Sequence, residues 1–186
     1  MKLLQIIARL ILRLVGWKLI DIPHRPPKSV VIAYPHTSNW DFPLALLALA
    51  GLPFRARWVA KDTMFRWPYA WLLRLFGGVS VNRRERTGFV ERVVAEFESH
   101  EMFHLVIAAE GTRNRQAGWK SGFYRMAVAA KVPLVLGVVD YARKEVGLLA
   151  SFAVTGDEAA DMARIAEVYV GREGYHHENA SPIRLL

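Results

Sequence analysis

Cysteine is absent from this chain of 186 residues. That excludes disulfides, thiolate catalysis and thiolate metal sites, and an acyl-enzyme would need another nucleophile. Acidic residues are the minority charge: 17 Asp+Glu stand against 25 Lys+Arg, a net charge of +8. Such a balance favours an anionic partner, either nucleic acid or anionic lipid. No low-complexity segment and no internal repeat of solenoid period is present, which excludes repeat architectures. No apolar run reaches the ~20 residues that a membrane-spanning helix needs.

What remains is the composition of one folded domain. Hydrophobic residues make up 53% and charged residues 23%, which excludes disorder. The length suits a single domain with a sizeable core. Six Trp and nine Phe accompany the positive charge, and the mean hydropathy is positive at +0.14. That pairing leans to lipid over nucleic acid, and no helix-turn-helix, zinc-finger or RNA-binding motif appears.

Met1 to Ile20 reads as one amphipathic helix, the core of an N-terminal membrane-association segment over residues 1–22. Lys2, Gln5, Arg9 and Arg13 fall within a wedge of roughly 80° on a helical wheel, with Leu, Ile and Val filling most of the rest. The pattern predicts a helix lying in one leaflet with its cations among the headgroups. No small-residue cleavage site follows it. Asp21 to Lys28, with Pro23, Pro26 and Pro27, reads as a linker that cannot be helical.

Residues 29–186 alternate strand and helix. Strands are expected at Ser29–Tyr34, Arg55–Lys61, Val79–Asn82, Phe103–Ala109 and Pro133–Val139, with one or two more in Val146–Val154. Helices are expected at Asp41–Ala50, Pro68–Phe76, Phe89–Ser99, Ser121–Lys131 and Glu158–Tyr169, the last capped by Thr155 or Asp157. The alternation predicts an α/β domain: a central, largely parallel or mixed sheet flanked by helices. Sites in such folds lie at the carboxyl ends of strands. His36 and Glu110 both follow strands directly.

His36 and Asp41 could pair if His36 sits on a loop and Asp41 in the first helical turn. On one regular helix they would point about 140° apart. An imidazole titrates near working pH and can take a proton from an alcohol; a carboxylate on its other nitrogen fixes the tautomer. No protein nucleophile is needed if the substrate's own hydroxyl attacks. Arg113 and Arg115 sit on a turn with Gly111, Thr112 and Asn114, and a guanidinium binds phosphate as a fork. Lys61 and the basic run Arg83, Arg84 and Arg86 also follow strands.

With these residues in place, the chain resembles the glycerolipid acyltransferases, the lysophosphatidate acyltransferase-like family, over nearly all of Val30 to Val139. His36-Thr37-Ser38-Asn39-Trp40-Asp41 matches the family's catalytic motif. Gly77 to Arg83 looks like its second motif, whose Arg is implicated in phosphate binding. Glu110-Gly111-Thr112-Arg113 matches its third, where Glu and Arg belong to the acceptor site. Val132-Pro133-Leu134-Val135 resembles its fourth, an apolar strand near the acyl chain. Four departures bear on the acceptor: Ser80 and Asn82 replace an aromatic and an acidic residue, Ala109 replaces a Pro, and Leu136-Gly137 replaces a second Pro.

The resemblance implies transfer of an acyl group from an acyl-CoA or acyl-carrier-protein thioester to a lysophospholipid hydroxyl, with 1-acyl-glycerol-3-phosphate as the first acceptor to consider. His36 and Asp41 would be catalytic. Lys61, Arg83, Glu110, Gly111, Thr112 and Arg113 would bind substrate. No metal and no resident cofactor is expected. The implied setting is a peripheral or monotopic protein on the cytoplasmic face of the inner or plasma membrane. Two other readings exist: a non-catalytic lipid-surface module of the same fold, and a zinc protease through His100 and His104, which literally match H-E-x-x-H. The second requires both His on one helix face, whereas this segment reads as a helix end turning into a strand.

Overall fold

The computed structural model describes residues 2–53, 55–68, 70–81 and 88–186, with the backbone alone at Lys2, Lys61 and Val81. Asn82, Arg83, Arg84, Arg86 and Tyr69 therefore lie outside the described residues or side chains.

In chain order the elements are α1 (Lys2–Leu14), β1 (Lys18–Ile20), β2 (Lys28–Tyr34), α2 (Asp41–Gly51), β3 (Arg57–Lys61), α3 (Ala70–Leu75) and β4 (Gly78–Val81). There follow α4 (Phe89–Ser99), β5 (Phe103–Ala108), α5 (Gly122–Ala129), β6 (Leu134–Asp140), β7 (Glu145–Phe152) and α6 (Glu158–Val168). The strands form one seven-stranded sheet in the order β1-β7-β6-β2-β5-β3-β4. Every neighbouring pair is parallel except the β6–β7 hairpin. The expected α/β architecture is present, with a mixed sheet.

The centre of the sheet explains the long apolar runs. All seven residues of β6 are buried, as a strand covered on both faces requires. One face packs against α4, α5 and α6 through Phe97, Phe123, Met126 and Ile165. The other meets α1 and α2 through Leu12, Ala48, Leu52 and Val135. A fully buried Leu or Ile in these layers contributes ~1.5–3 kcal/mol.

The N-terminal segment departs from the expectation of one helix to Ile20. The helix ends at Leu14, Gly16 turns the chain at φ +79°, and Lys18–Ile20 pairs with Glu145–Gly147 at the sheet edge. Helix α1 buries Ala8 and Leu12 against the domain and leaves many of its other apolar residues exposed. At the edge of that contact Gln5 and Arg9 donate to the carbonyls of Leu52 (3.3 Å) and Gly51 (2.9 Å) at the end of α2. There the Arg9 cation also suits the negative helix terminus. Leu3, Ile6, Leu10 and Leu14 point outward, between 53% and 75% exposed.

Smaller differences have local causes. The region expected to hold one or two strands holds one, β7, which ends at Phe152 and bulges opposite Leu136 and Gly137 of β6. A 3-10 turn at Asp62–Met64 follows β3. Asp157 caps α6 by accepting from Ala160 N at 3.0 Å. Trp58 is buried against Phe42, whereas Trp67 and Trp71 are exposed.

Candidate functional site

Strands β6, β2, β5 and β3 are neighbours in the sheet, and β2, β5 and β3 run parallel. Their carboxyl ends therefore open on one side. His36 follows β2, Glu110 follows β5, Lys61 ends β3, and Tyr141 follows β6. A gap between non-sequential parallel strands is where such sheets form crevices.

His36 stands on the loop and Asp41 is the first residue of α2, the one arrangement that lets this spacing close. His36 Nδ1 lies 3.1 Å from Asp41 Oδ2. An ionised carboxylate only accepts, so Nδ1 carries the proton and Nε2 is left as the basic nitrogen. The same Oδ2 accepts from the backbone N–H groups of Thr37 and Ser38, each at 2.8 Å. Asp41 is 3% exposed, so these bonds hold the loop without competition from water. Its other oxygen, Oδ1, accepts from the Tyr141 hydroxyl at 3.0 Å. Burial, and then the Asp41 carboxylate, push the Tyr141 hydroxyl pKa above its usual value, which keeps it a donor.

Glu110 fixes the other side of the loop. It is 1% exposed. Its Oε2 accepts from His36 N and its Oε1 from Ser181 N, both at 2.8 Å. Burial raises its pKa, while the hydrogen bonds from Ser181 and His36 pull it back down. Burial, then the Glu110 charge, raises Tyr34 to about 12, and its hydroxyl donates to Ser181 O at 3.2 Å. Glu110 thus acts on His36 through the backbone.

Gly111 follows at φ +68°, a left-handed turn that suits glycine. It brings Thr112 and Arg113 to the wall of a cavity of about 380 Å³ that His36 and Asp41 also line. The rest of that wall is largely apolar, with Phe42, Leu46, Leu49, Trp58 and Val106. The cavity thus has a base at one wall, a guanidinium nearby and room for a hydrocarbon chain. Apart from Asp41, no carboxylate, thiol or second imidazole joins His36 among its described wall residues.

The structure therefore brings together His36, Asp41, Glu110, Gly111, Thr112 and Arg113. Lys61 ends β3 in register with Val81 at this edge, with its side chain undescribed; Arg83 lies outside the described residues. Tyr141 and Ser181 escaped the sequence reading. Tyr141 is 100 positions from Asp41, and its one signal was that it follows a strand end. The reading of β6 as stopping at Val139 hid that signal. His100 and His104 do not share a helix face: α4 ends at Ser99, and His104 lies in β5 with Nδ1 2.8 Å from Ser29 Oγ.

Comparison with known proteins agrees with this geometry. The family model described as Acyltransferase matches residues 20–138. Comparison with curated proteins returned no match. Among solved structures, the 1-acyl-sn-glycerophosphate acyltransferase PlsC of Thermotoga maritima is similar at a TM-score of 0.58 and 16% identity. The match covers 90% of this chain and 77% of that one. At that identity the likeness establishes the fold. The matched span takes in β2, β5 and most of β6 with the loops of His36 and Glu110, and the chain belongs to the acyltransferase family.

Proposed function

We propose that this acyltransferase moves a fatty acyl group from an acyl-CoA or acyl-carrier-protein thioester to a lysophospholipid hydroxyl, in phospholipid synthesis or remodelling. The first candidate acceptor is 1-acyl-glycerol-3-phosphate, the acceptor class named for the similar PlsC structure. One observation carries the reading: His36, tethered to Asp41 at 3.1 Å, lines an apolar cavity that Arg113 lines as well.

The chemistry is a direct transfer. The acceptor oxygen attacks the thioester carbonyl carbon, and its proton passes to His36 Nε2. The carbon–sulfur bond breaks, and the departing thiolate takes that proton from His36 as free thiol. Asp41 holds the ring and stabilises the transient imidazolium, and base catalysis of this kind supplies ~10² to 10⁴ in rate. Arg113, with Lys61 and Arg83, holds the acceptor's phosphate. The thioester is a co-substrate, so the scheme uses no resident cofactor or metal.

Membrane attachment belongs to the same proposal. Support comes from the outward apolar face of α1 and from exposed Trp67, Trp71, Leu75 and Met102. Leu4, Leu75, Phe76 and Met102 line one shared groove with Arg55 and Arg57. An apolar face edged by cations suits a leaflet with anionic headgroups. No helix among the described residues is long and apolar enough to cross a membrane, so the attachment proposed is peripheral or monotopic. Its cytoplasmic side follows from the thioester donors.

The test is free-thiol release from an acyl-CoA, and in parallel from an acyl-carrier protein, in detergent with and without lysophosphatidate. Release that depends on the acceptor supports the proposal. Release that ignores every lysolipid added, or none with either donor, overturns it.

A further inference from the structure

On the other side of Arg113 lies a second recess of about 360 Å³. Arg113 belongs to the walls of both spaces, but their chemistry differs. Asn39, Asn114 and Asn179 line the second, together with Tyr175 and His176. Each amide both donates and accepts hydrogen bonds. Arg113 supplies the fixed charge, and no carboxylate is among the described wall residues. A cationic group would face that guanidinium, and the neighbouring carboxylate, Glu178, sits outside the wall and 3.5 Å from His176. A second anion beyond the one on Arg113 would find no second guanidinium in the wall, since Arg115 is turned to the carbonyls of Glu178 and Ala180. An uncharged group carrying several hydroxyls fits the donors and acceptors present.

Tyr175, His176 and Asn179 of that wall belong to the C-terminal segment from Arg172 to Ser181, a strap tied to the loops at the strand ends. Glu173 O accepts from Tyr141 N at 2.9 Å. His176 N donates to Thr37 Oγ1 at 3.1 Å, and Ser181 N donates to Glu110 Oε1 at 2.8 Å. Gly174 lies so close that a Cβ there would collide with the Thr37 hydroxyl. Each anchor is on a loop that also carries a residue of the site, so the recess is held in fixed relation to His36. The strap lies outside residues 20–138, the span of the family match.

We infer that this recess is a headgroup subsite. When Arg113 holds the acceptor's phosphate, the recess takes an uncharged polyol esterified to that phosphate, and Asn179 and His176 of the strap determine specificity for it. The inference rests on the lysophospholipid reading above.

The experiment compares kcat/KM for thiol release with two acceptors that differ only in headgroup, lysophosphatidate and lysophosphatidylglycerol, at one acyl-CoA concentration, with a separate acyl-CoA titration of each protein at fixed acceptor. Two hydrogen bonds to the glycerol make the full-length protein prefer the second acceptor by about 10-fold. Asn179→Leu should bring the ratio to within about twofold of unity, and His176→Ala, at a half-exposed side chain, should move it the same way. Circular dichroism checks that each variant is folded, and the surface position of His176 keeps the test open if Asn179→Leu is not. A wild-type ratio near one, or a ratio that neither variant moves, overturns the subsite while leaving lysophospholipid transfer in place. A raised KM for acyl-CoA with an unchanged ratio also overturns it, giving the recess to the donor. Turnover of neither lysolipid overturns the lysophospholipid reading itself and the subsite with it.

Discussion

The Tyr141 hydroxyl donates to Asp41 Oδ1 at 3.0 Å while His36 Nδ1 meets Oδ2 at 3.1 Å. The Asp41 carboxylate is thus gripped from the end of β6 as well as from its own loop. Tyr141 is itself wedged between Trp17 (5.0 Å, edge-on) and Tyr175 (5.2 Å, edge-on). It joins the chain after α1 and the C-terminal strap to the site. Tyr141 is a positioning residue, since it acts through Asp41.

Tyr141→Phe removes that one bond and little volume. A hydrogen bond to a charged group is worth ~1.5–3 kcal/mol, so kcat should fall about 10- to 100-fold with acceptor KM within about twofold. Steady-state kinetics on the purified variant checks this. A lowered Tm with unchanged kcat would reduce Tyr141 to a structural role.

Glu110→Ala leaves two buried N–H groups, of His36 and Ser181, without their acceptor. Each costs ~1–3 kcal/mol. For a domain of this size the sum corresponds to a Tm lower by roughly 5–20 °C. Glu110→Gln keeps one acceptor oxygen and should lose less. Thermal unfolding followed by circular dichroism separates these outcomes from a side chain that only touches substrate, which would leave Tm in place.

Leu10 and Leu14 are 53% and 75% exposed on the outer face of α1. Leu10→Glu with Leu14→Glu should lower binding to vesicles of anionic phospholipid by at least ~10-fold and shift Tm by no more than about 1 °C. Co-sedimentation with vesicles measures the first quantity. Full retention of binding would contradict α1 as the attachment.

His104 is 4% exposed. Burial, and secondarily the nearby Arg25 charge, lowers its pKa to about 4. The neutral ring is favoured in the fold, so its stabilising contribution is complete above the unfolded value of about 6.5. It is lost as pH falls from about 6.5 through about 4, a change on the order of 3 kcal/mol. Urea unfolding at pH 7 and at pH 4 should show a smaller acid loss for His104→Asn than for the wild type. Equal losses would assign the acid sensitivity to other groups.

The sequence carried the central strands plainly, because β2, β5 and β6 are covered on both faces and read as continuous apolar runs. It also carried the closure of His36 on Asp41, because Pro35 and Pro43 bracket a loop entering a helix. Three things were not legible. The strand Lys18–Ile20 continues the apolar pattern of α1, and its pairing with β7 is a long-range contact. The anchoring of Gln5 and Arg9 depends on the carbonyls at the end of α2, which no local pattern reveals. Tyr141, Ser181 and the strap reach the site from far along the chain, and only the fold brings them to Asp41, Glu110 and Thr37.

The central claim is that His36 is the base for acyl transfer, and its most direct test is acceptor-dependent thiol release by His36→Ala. Asp41 keeps its bonds from Thr37, Ser38 and Tyr141 in that variant, so the fold should persist with Tm nearly unchanged. Turnover should fall by at least ~10²-fold. A folded His36→Ala protein that releases thiol at close to the wild-type rate would contradict the account.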